Sequence, residues 1–239
     1  MNIADKTILI TGASRGIGRA LIDEALRRGV KRVYAGTRGP LSHADPRVTA
    51  VGLDVTSAVD IQLAAASIGG LDVLVNNAGI APYDDLSNPE VLERTFAVNL
   101  FGMLNVTRAF LPQLKRSRGA VVNHLSLVAL AALPLIPAYS ISKAAALNLT
   151  QSLRALLAGD GVKVHGVVLG PVDTDMNRGF DIPKASTASA ARGIFDGLER
   201  GEEEIFPDPV SHSVADGWRT GAAKALERQF AAFVPGNAA

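Results

Sequence analysis

Short apolar runs alternate with amphipathic segments along most of the chain. The runs are Thr7–Thr11, Arg32–Ala35, Val48–Leu53, Leu71–Asn76, Ala120–Leu125 and Val162–Leu169. Most are rich in Val, Ile or Leu without strict alternation, the pattern of strands buried on both faces. The segments between them repeat at helical spacing. Ile17–Arg28 stops at Gly29, and Ser57–Ile68 opens on a capping-type serine and stops at Gly69-Gly70. Pro89, after Asn88, opens a helical stretch that reaches roughly to Arg116, and Tyr139–Leu157 is the next. Such alternation predicts right-handed crossovers and an α/β fold: one doubly wound parallel sheet with helices on both faces. Ligands in such sheets sit at the carboxyl ends of the strands, which directs attention to the residues just after each run.

A length of 239 residues fits a single domain spanning 1–239. With 48% hydrophobic and 20% charged residues, the chain can bury a large core and is not of the disordered class. A net charge of +1 without a dense basic run gives no field to recruit nucleic acid or an anionic membrane. Cysteine is absent, which excludes disulfides, thiolate catalysis and Cys-ligated zinc. His43, His124, His165 and His212 are scattered without metal-ligand spacing, so no metal is expected. Met1 to Lys6 lacks the pattern of a signal peptide. The longest apolar stretch, Leu127 to Ala138, is too short to span a bilayer and carries Pro134 and Pro137. A soluble cytoplasmic protein is expected. The Ala-rich passage Lys184 to Ala191 is expected to be mobile.

The first run leads directly into Thr11-Gly12-Ala13-Ser14-Arg15-Gly16-Ile17-Gly18 and then a helix. Glycines here let the backbone turn sharply and bring N–H groups against a pyrophosphate, whose charge the helix N-terminus favours. The spacing is Gly-x3-Gly-x-Gly, not Gly-x-Gly-x-x-Gly, and Arg19-Ala20 after Gly18 rules out a P-loop. Taken alone, the loop also fits a strand–helix turn with no ligand.

This loop resembles the cofactor loop of the short-chain dehydrogenase/reductase family, and the resemblance extends from Thr7 to about Phe206. It implies a Rossmann-type fold in which Gly12, Ser14, Arg15, Gly16, Ile17 and Gly18 bind a dinucleotide. Asn76-Asn77-Ala78-Gly79 is similar to the family's second signature. By that resemblance the segment supports the central sheet, and Asn76, Ala78 and Gly79 set backbone beside the adenosine ribose. Asp54 and Val55 stand where the family contacts adenine; a lone Asp54 would otherwise read as a loop cap. The second strand ends Ala35-Gly36-Thr37-Arg38, with no acid to accept hydrogen bonds from a ribose 2′-hydroxyl. Arg38 could pair with a 2′-phosphate through its planar fork, and Arg15 could approach from the glycine loop. NADP is therefore expected ahead of NAD, with Thr37 and Arg38 at the selecting position.

Tyr139 and Lys143, in Tyr139-Ser140-Ile141-Ser142-Lys143, lie one turn apart on one helical face. In isolation that is a surface tyrosine beside a solvated lysine. Ser126, thirteen residues before Tyr139, ends the fifth strand, and this interval matches the family's catalytic layout. Carbonyl reduction needs a proton on oxygen as hydride reaches carbon. A phenol's reference pKa of about 10 is high for that task. A nearby ammonium, helped by the positive charge of an oxidised nicotinamide, is expected to favour phenolate and lower it. The resemblance then implies Tyr139 as proton donor or acceptor, Lys143 as its tuner and a ligand of the nicotinamide ribose, and Ser126 as the hydrogen-bond donor orienting the substrate oxygen. Asn99 is a fourth member on the resemblance alone, linking the lysine to a water-mediated relay; by itself it reads as a kink or a capped helix join.

Leu169-Gly170-Pro171-Val172-Asp173-Thr174-Asp175-Met176 resembles the family's nicotinamide-facing turn, with Val172 and Thr174 implied to hold the carboxamide. The family has proline where Leu169 stands, which makes this turn less rigid. Leu125 replaces a serine that often precedes the catalytic one. Ile80, Tyr83, Leu127, Leu135, Met176 and Phe180 are candidate lining residues, mostly apolar, and point to an apolar carbonyl or alcohol substrate. Apolar residues beyond one sheet-facing stripe on the two long helical segments suggest partner helices, and the family pairs these helices across a twofold axis. A homotetramer or homodimer is expected. Two other readings stand beside this one. A non-catalytic NAD(P)-binding sensor or scaffold would lack the tyrosine or lysine. A serine hydrolase would want Gly-x-Ser-x-Gly, which Asn123-His124-Leu125-Ser126-Leu127 does not provide, although His124 would point the same way as Ser126.

Overall fold

The computed structural model describes residues 1–234; residues 235–239 of the expected domain lie outside the described residues. In chain order the strands are β1 (Thr7–Thr11), β2 (Arg32–Thr37), β3 (Val48–Gly52), β4 (Val73–Asn76), β5 (Ala120–His124), β6 (Lys163–Val167) and β7 (Glu204–Ile205). They form one parallel sheet in the order β3-β2-β1-β4-β5-β6-β7. The order reverses between β1 and β4. The carboxyl ends of these two strands splay the following loops apart, opening the crevice typical of such sheets.

Burial on both faces explains the unbroken apolar runs of β1, β4, β5 and β6, whereas β3 is only partly buried. Ile8 and Ile10 of β1 face a core shared with α1 (Gly16–Arg27) and α6 (Thr187–Arg200). Leu9 between them faces the opposite core, under α2 (Ala58–Ser67), α4 (Met103–Ser117) and α5 (Pro137–Leu157). Each such Ile or Leu contributes roughly 1.5–3 kcal/mol by leaving water. Six of the strands are the apolar runs of the sequence. The seventh is a two-residue edge pairing, too short to leave a hydrophobic period.

Two expectations are corrected. The helical stretch from Pro89 is not continuous: α3 (Pro89–Phe96) and α4 are joined by a π-helical turn, Ala97–Gly102. A wider turn there frees Asn99 to bond another segment. The Ala-rich passage does not run free. Ser186 caps α6 by accepting from Ser189 N at 3.1 Å, and Ala190 and Ala191 are fully buried. Alanines there let α6 pack close to the sheet. Beyond β7 the chain forms three short helices, α7 (Pro209–His212), α8 (Ala215–Thr220) and α9 (Ala222–Ala231). Lys224 of α9 is 1% exposed, and its ammonium meets Glu203, Glu204 and Glu227 at 2.8–2.9 Å. Arg154 of α5 joins Glu204 at 2.8 Å and also pairs with Glu227, so the tail is tied to α5 and the sheet edge by paired charges.

Candidate active site

The loop after β1 is built for close approach. Gly12 and Gly16 adopt φ of +63° and +55°, which L side chains rarely tolerate. A Cβ on Gly18 would lie 2.2 Å from Gly12 O, and one on Gly12 would lie 2.9 Å from Ala78 Cα. Helix α1 begins after Arg15 with no side chain capping its first N–H groups. The result is a backbone cradle of uncapped donors at a helix N-terminus, which fits a dinucleotide pyrophosphate. Asn77 clamps the cradle: its Nδ2 donates to Thr11 O at 2.8 Å and Gly12 O at 3.1 Å. Thr11 Oγ1 accepts from Asn77 N and Ala78 N, each at 3.0 Å. Ser14 is exposed and Ile17 packs partly against the core below. Arg15 reaches across to Asp175 at 2.9 Å, away from the end of β2.

At that end, Thr37 is buried and its hydroxyl is spent on Gly39, donating to O at 3.1 Å and accepting from N at 3.2 Å. Arg38 is exposed and has no ion-pair partner among the described residues. The Asp54 carboxylate accepts from Thr56 Oγ1 at 2.7 Å and Thr56 N at 2.9 Å. Those bonds, with the Arg38 charge, hold its pKa below the ordinary value. Val55 is buried where a Cβ on Gly102 would meet it at 2.8 Å, so Gly102 lets the π-turn close on the β3 end.

Asn76 sits deeper than expected. Its Nδ2 donates to Thr107 Oγ1 and Asn123 Oδ1, both at 2.9 Å, and Asn123 passes the chain to Thr150 at 3.0 Å. The Asn76 side chain therefore ties β4 to β5 and α4, and only Asn77, Ala78 and Gly79 run along the crevice. Asn99 is fully buried. Its amide accepts from Ile80 N and donates to Ile80 O and Ser142 Oγ, all at 2.9 Å. Ser142 Oγ donates in turn to Tyr139 O at 2.7 Å. Asn99 thus fixes the strand-end segment and the first turn of α5 together, a connection its position in the sequence did not reveal.

Ser126, Tyr139 and Lys143 converge at the end of β5. Ser126 Oγ accepts from Val128 N at 3.4 Å, and its hydroxyl is hydrogen-bonded to the Tyr139 phenol. Lys143 is buried; its Nζ lies 5.5 Å from the Tyr139 ring centre and donates to His124 O at 2.6 Å. Burial pushes the Tyr139 hydroxyl up to about 12, with the Ser126 bond pulling weakly the other way. The same burial brings Lys143 down to about 8. A low-dielectric pocket disfavours both charged forms. His124 makes no bond to Ser126, and its imidazole is held neutral, down to about 3, by burial and by Lys143.

The turn after β6 is rigid despite Leu169. Leu169 is buried in the core and its O accepts from Leu127 N at 2.9 Å. Gly170 N donates to Asp208 at 2.8 Å, and Asp173 N and Ala185 N complete a backbone ladder at 2.9 Å. Val172 is buried, while Thr174 borders the cradle: a Cβ on Gly16 would meet it at 3.3 Å. Tyr83 and Phe180 stack with ring centroids 5.7 Å apart, and Leu135 and Met176 are exposed. Among the described residues no group of three His, Asp or Glu side chains is placed to share a metal, and no helix is long and apolar enough to cross a membrane.

A reversed parallel sheet with a glycine cradle at its switch point is the architecture of dinucleotide-binding oxidoreductases. The sequence model of the short chain dehydrogenases matches residues 6–184, and the chain belongs to that family. It is 35% identical over 185 residues to 2-(S)-hydroxypropyl-CoM dehydrogenase 3 of Xanthobacter autotrophicus, covering 71% of this chain and 72% of the relative. It is also 35% identical over 201 residues to the L-rhamnose 1-dehydrogenase (NAD(P)(+)) of Azotobacter vinelandii, covering 74% and 77%. A solved short chain dehydrogenase from Burkholderia cenocepacia, in complex with NADP, superposes with a TM-score of 0.88 at 37% identity, covering 96% of this chain and 98% of that one.

Proposed function

We propose that this protein transfers hydride between NADP(H) and an apolar carbonyl or alcohol. The observation that carries the reading is the meeting of Ser126, Tyr139 and Lys143 beside a backbone cradle free of side chains. A bound nicotinamide supplies or takes up the hydride. In reduction, Tyr139 gives its proton to the carbonyl oxygen, and burial keeps that proton in place at neutral pH. Ser126 donates to the same oxygen and orients it. Lys143 holds a positive charge beside the phenol and is placed for the nicotinamide ribose. Asn99 and Ser142 fix the turn that presents Tyr139. The stacked Tyr83–Phe180 pair supports an apolar substrate. Mixing the protein with NADPH and a panel of carbonyl compounds tests the proposal: NADPH loss with one alcohol formed per NADPH is expected. NADPH binding with no carbonyl consumed would leave only a binding protein.

The buried pair sets a pH profile. Reduction needs Tyr139 protonated and Lys143 charged, so its rate should be flat below about pH 8 and fall above it, as Lys143 loses its proton before Tyr139 does. Alcohol oxidation needs the phenolate beside the same charged Lys143, so its rate should rise up to about pH 8 and level off above it. Initial rates in both directions from pH 6 to 10 check this, and a reduction rate that climbs through that range contradicts it.

We also infer a homo-oligomer. Met103, Phe110, Leu147 and Leu153 turn into the protein's own core, yet Phe101, Ile141 and Leu156 of the same segments are 53%, 41% and 61% exposed. Light scattering should give a multiple of the 24.9 kDa chain; that mass itself at micromolar concentration would refute the inference.

A further inference from the structure

His124 ends β5 and stands opposite Val167 of β6. Its side chain shares a sheet face with Val122 and Val167, both in the core under α1 and α6. Ala13 of the glycine loop and Leu169 and Val172 of the β6 turn close that core at the carboxyl edge. The imidazole therefore forms the last layer of this face, beneath the crevice where the two loops meet. Their meeting is marked by the Gly16–Thr174 contact and the Arg15–Asp175 pair.

His124 is 4% exposed, and neither ring nitrogen has a hydrogen-bond partner among the described residues; Nε2 is wholly buried. An orphaned buried polar group costs stability, and the fold offers an easy remedy in an apolar residue of like size. Two residues further on, the extended chain carries Ser126 on the same side. The chemistry narrows the partner. A neutral imidazole presents one donor and one acceptor. Phosphate asks for donors and positive charge, whereas a primary carboxamide offers a carbonyl and an N–H₂ that match the ring's two functions. A neutral group here also avoids repelling an oxidised, cationic nicotinamide.

We propose that His124 is a cofactor-positioning residue, its imidazole hydrogen-bonding the carboxamide end of the nicotinamide from the floor of the crevice. This rests on the NADP(H) reading above. It adds a side-chain contact from β5 to the backbone contacts expected of the Val172–Thr174 turn.

Calorimetric titration of NADPH and of adenosine 2′,5′-bisphosphate, which lacks the nicotinamide, separates the two readings. In His124→Leu, NADPH should bind roughly three- to tenfold more weakly, the worth of one neutral hydrogen bond. The bisphosphate should bind as it does to the wild type. His124→Gln, which keeps a donor and an acceptor, should recover most of the loss. The ligand-free His124→Leu chain should melt higher than wild type by about 2–6 °C, because the orphaned group is gone. A purely structural histidine would give the opposite shift. Unchanged NADPH affinity, equal loss for both ligands, or a His124→Leu chain that melts lower or fails to fold overturns the proposal. A wild type that binds neither ligand overturns the NADP(H) reading instead.

Discussion

Replacing Tyr139 with Phe should abolish nearly all turnover, a loss of about 10²–10⁴-fold, the usual worth of a general acid. The affinity for NADPH should stay within a few-fold. Phenylalanine keeps the ring that packs 5.5 Å from Lys143 Nζ and loses only the hydroxyl. No neighbour can replace that hydroxyl. Lys143 Nζ is turned to His124 O at 2.6 Å, the Ser126 hydroxyl is far too weak an acid, and the neutral His124 does not bond Ser126. Steady-state rates with a fluorescence titration of the cofactor separate the two effects. A variant that keeps more than roughly a tenth of the activity contradicts the role given to Tyr139.

Arg38→Ala should weaken NADPH by about ten- to a hundredfold and leave NADH almost unchanged. A charge-assisted hydrogen bond to a 2′-phosphate is worth roughly 1.5–3 kcal/mol. Arg38 is exposed and, among the described residues, engaged only by the distant pull of Asp54. Its fork is therefore available to a ligand. Arg15 is committed to Asp175 at 2.9 Å and should matter less than the sequence suggested. Thr37 adds no repulsion, since its hydroxyl is bound to Gly39. Titrating both cofactors into both proteins decides the point; equal losses, or a wild type that prefers NADH, contradict it.

The sheet was legible because β1, β4, β5 and β6 are buried on both faces, so each is an apolar run that no surface alternation blurs. β7 and α6 were not. Two residues carry no period, and an alanine-rich helix start looks like flexible chain until a neighbour packs on Ala190 and Ala191. The glycine loop was legible since its positive φ values and close approaches admit nothing else. Side-chain roles that depend on a distant partner were harder. Asn76 and Asn77 are adjacent and chemically identical, yet one braces the sheet interior and the other clamps the cradle. Only their alternating direction along the strand separates them.

The most direct test of the central claim follows the hydride itself. NADPH carrying deuterium at the transferable position of its nicotinamide is incubated with any carbonyl compound the protein turns over, and the alcohol is analysed by mass spectrometry and NMR. One deuterium per molecule, on the former carbonyl carbon and in a single configuration, is the expected result. An unlabelled alcohol, or cofactor oxidised with no carbonyl compound reduced, would contradict direct hydride transfer at this site.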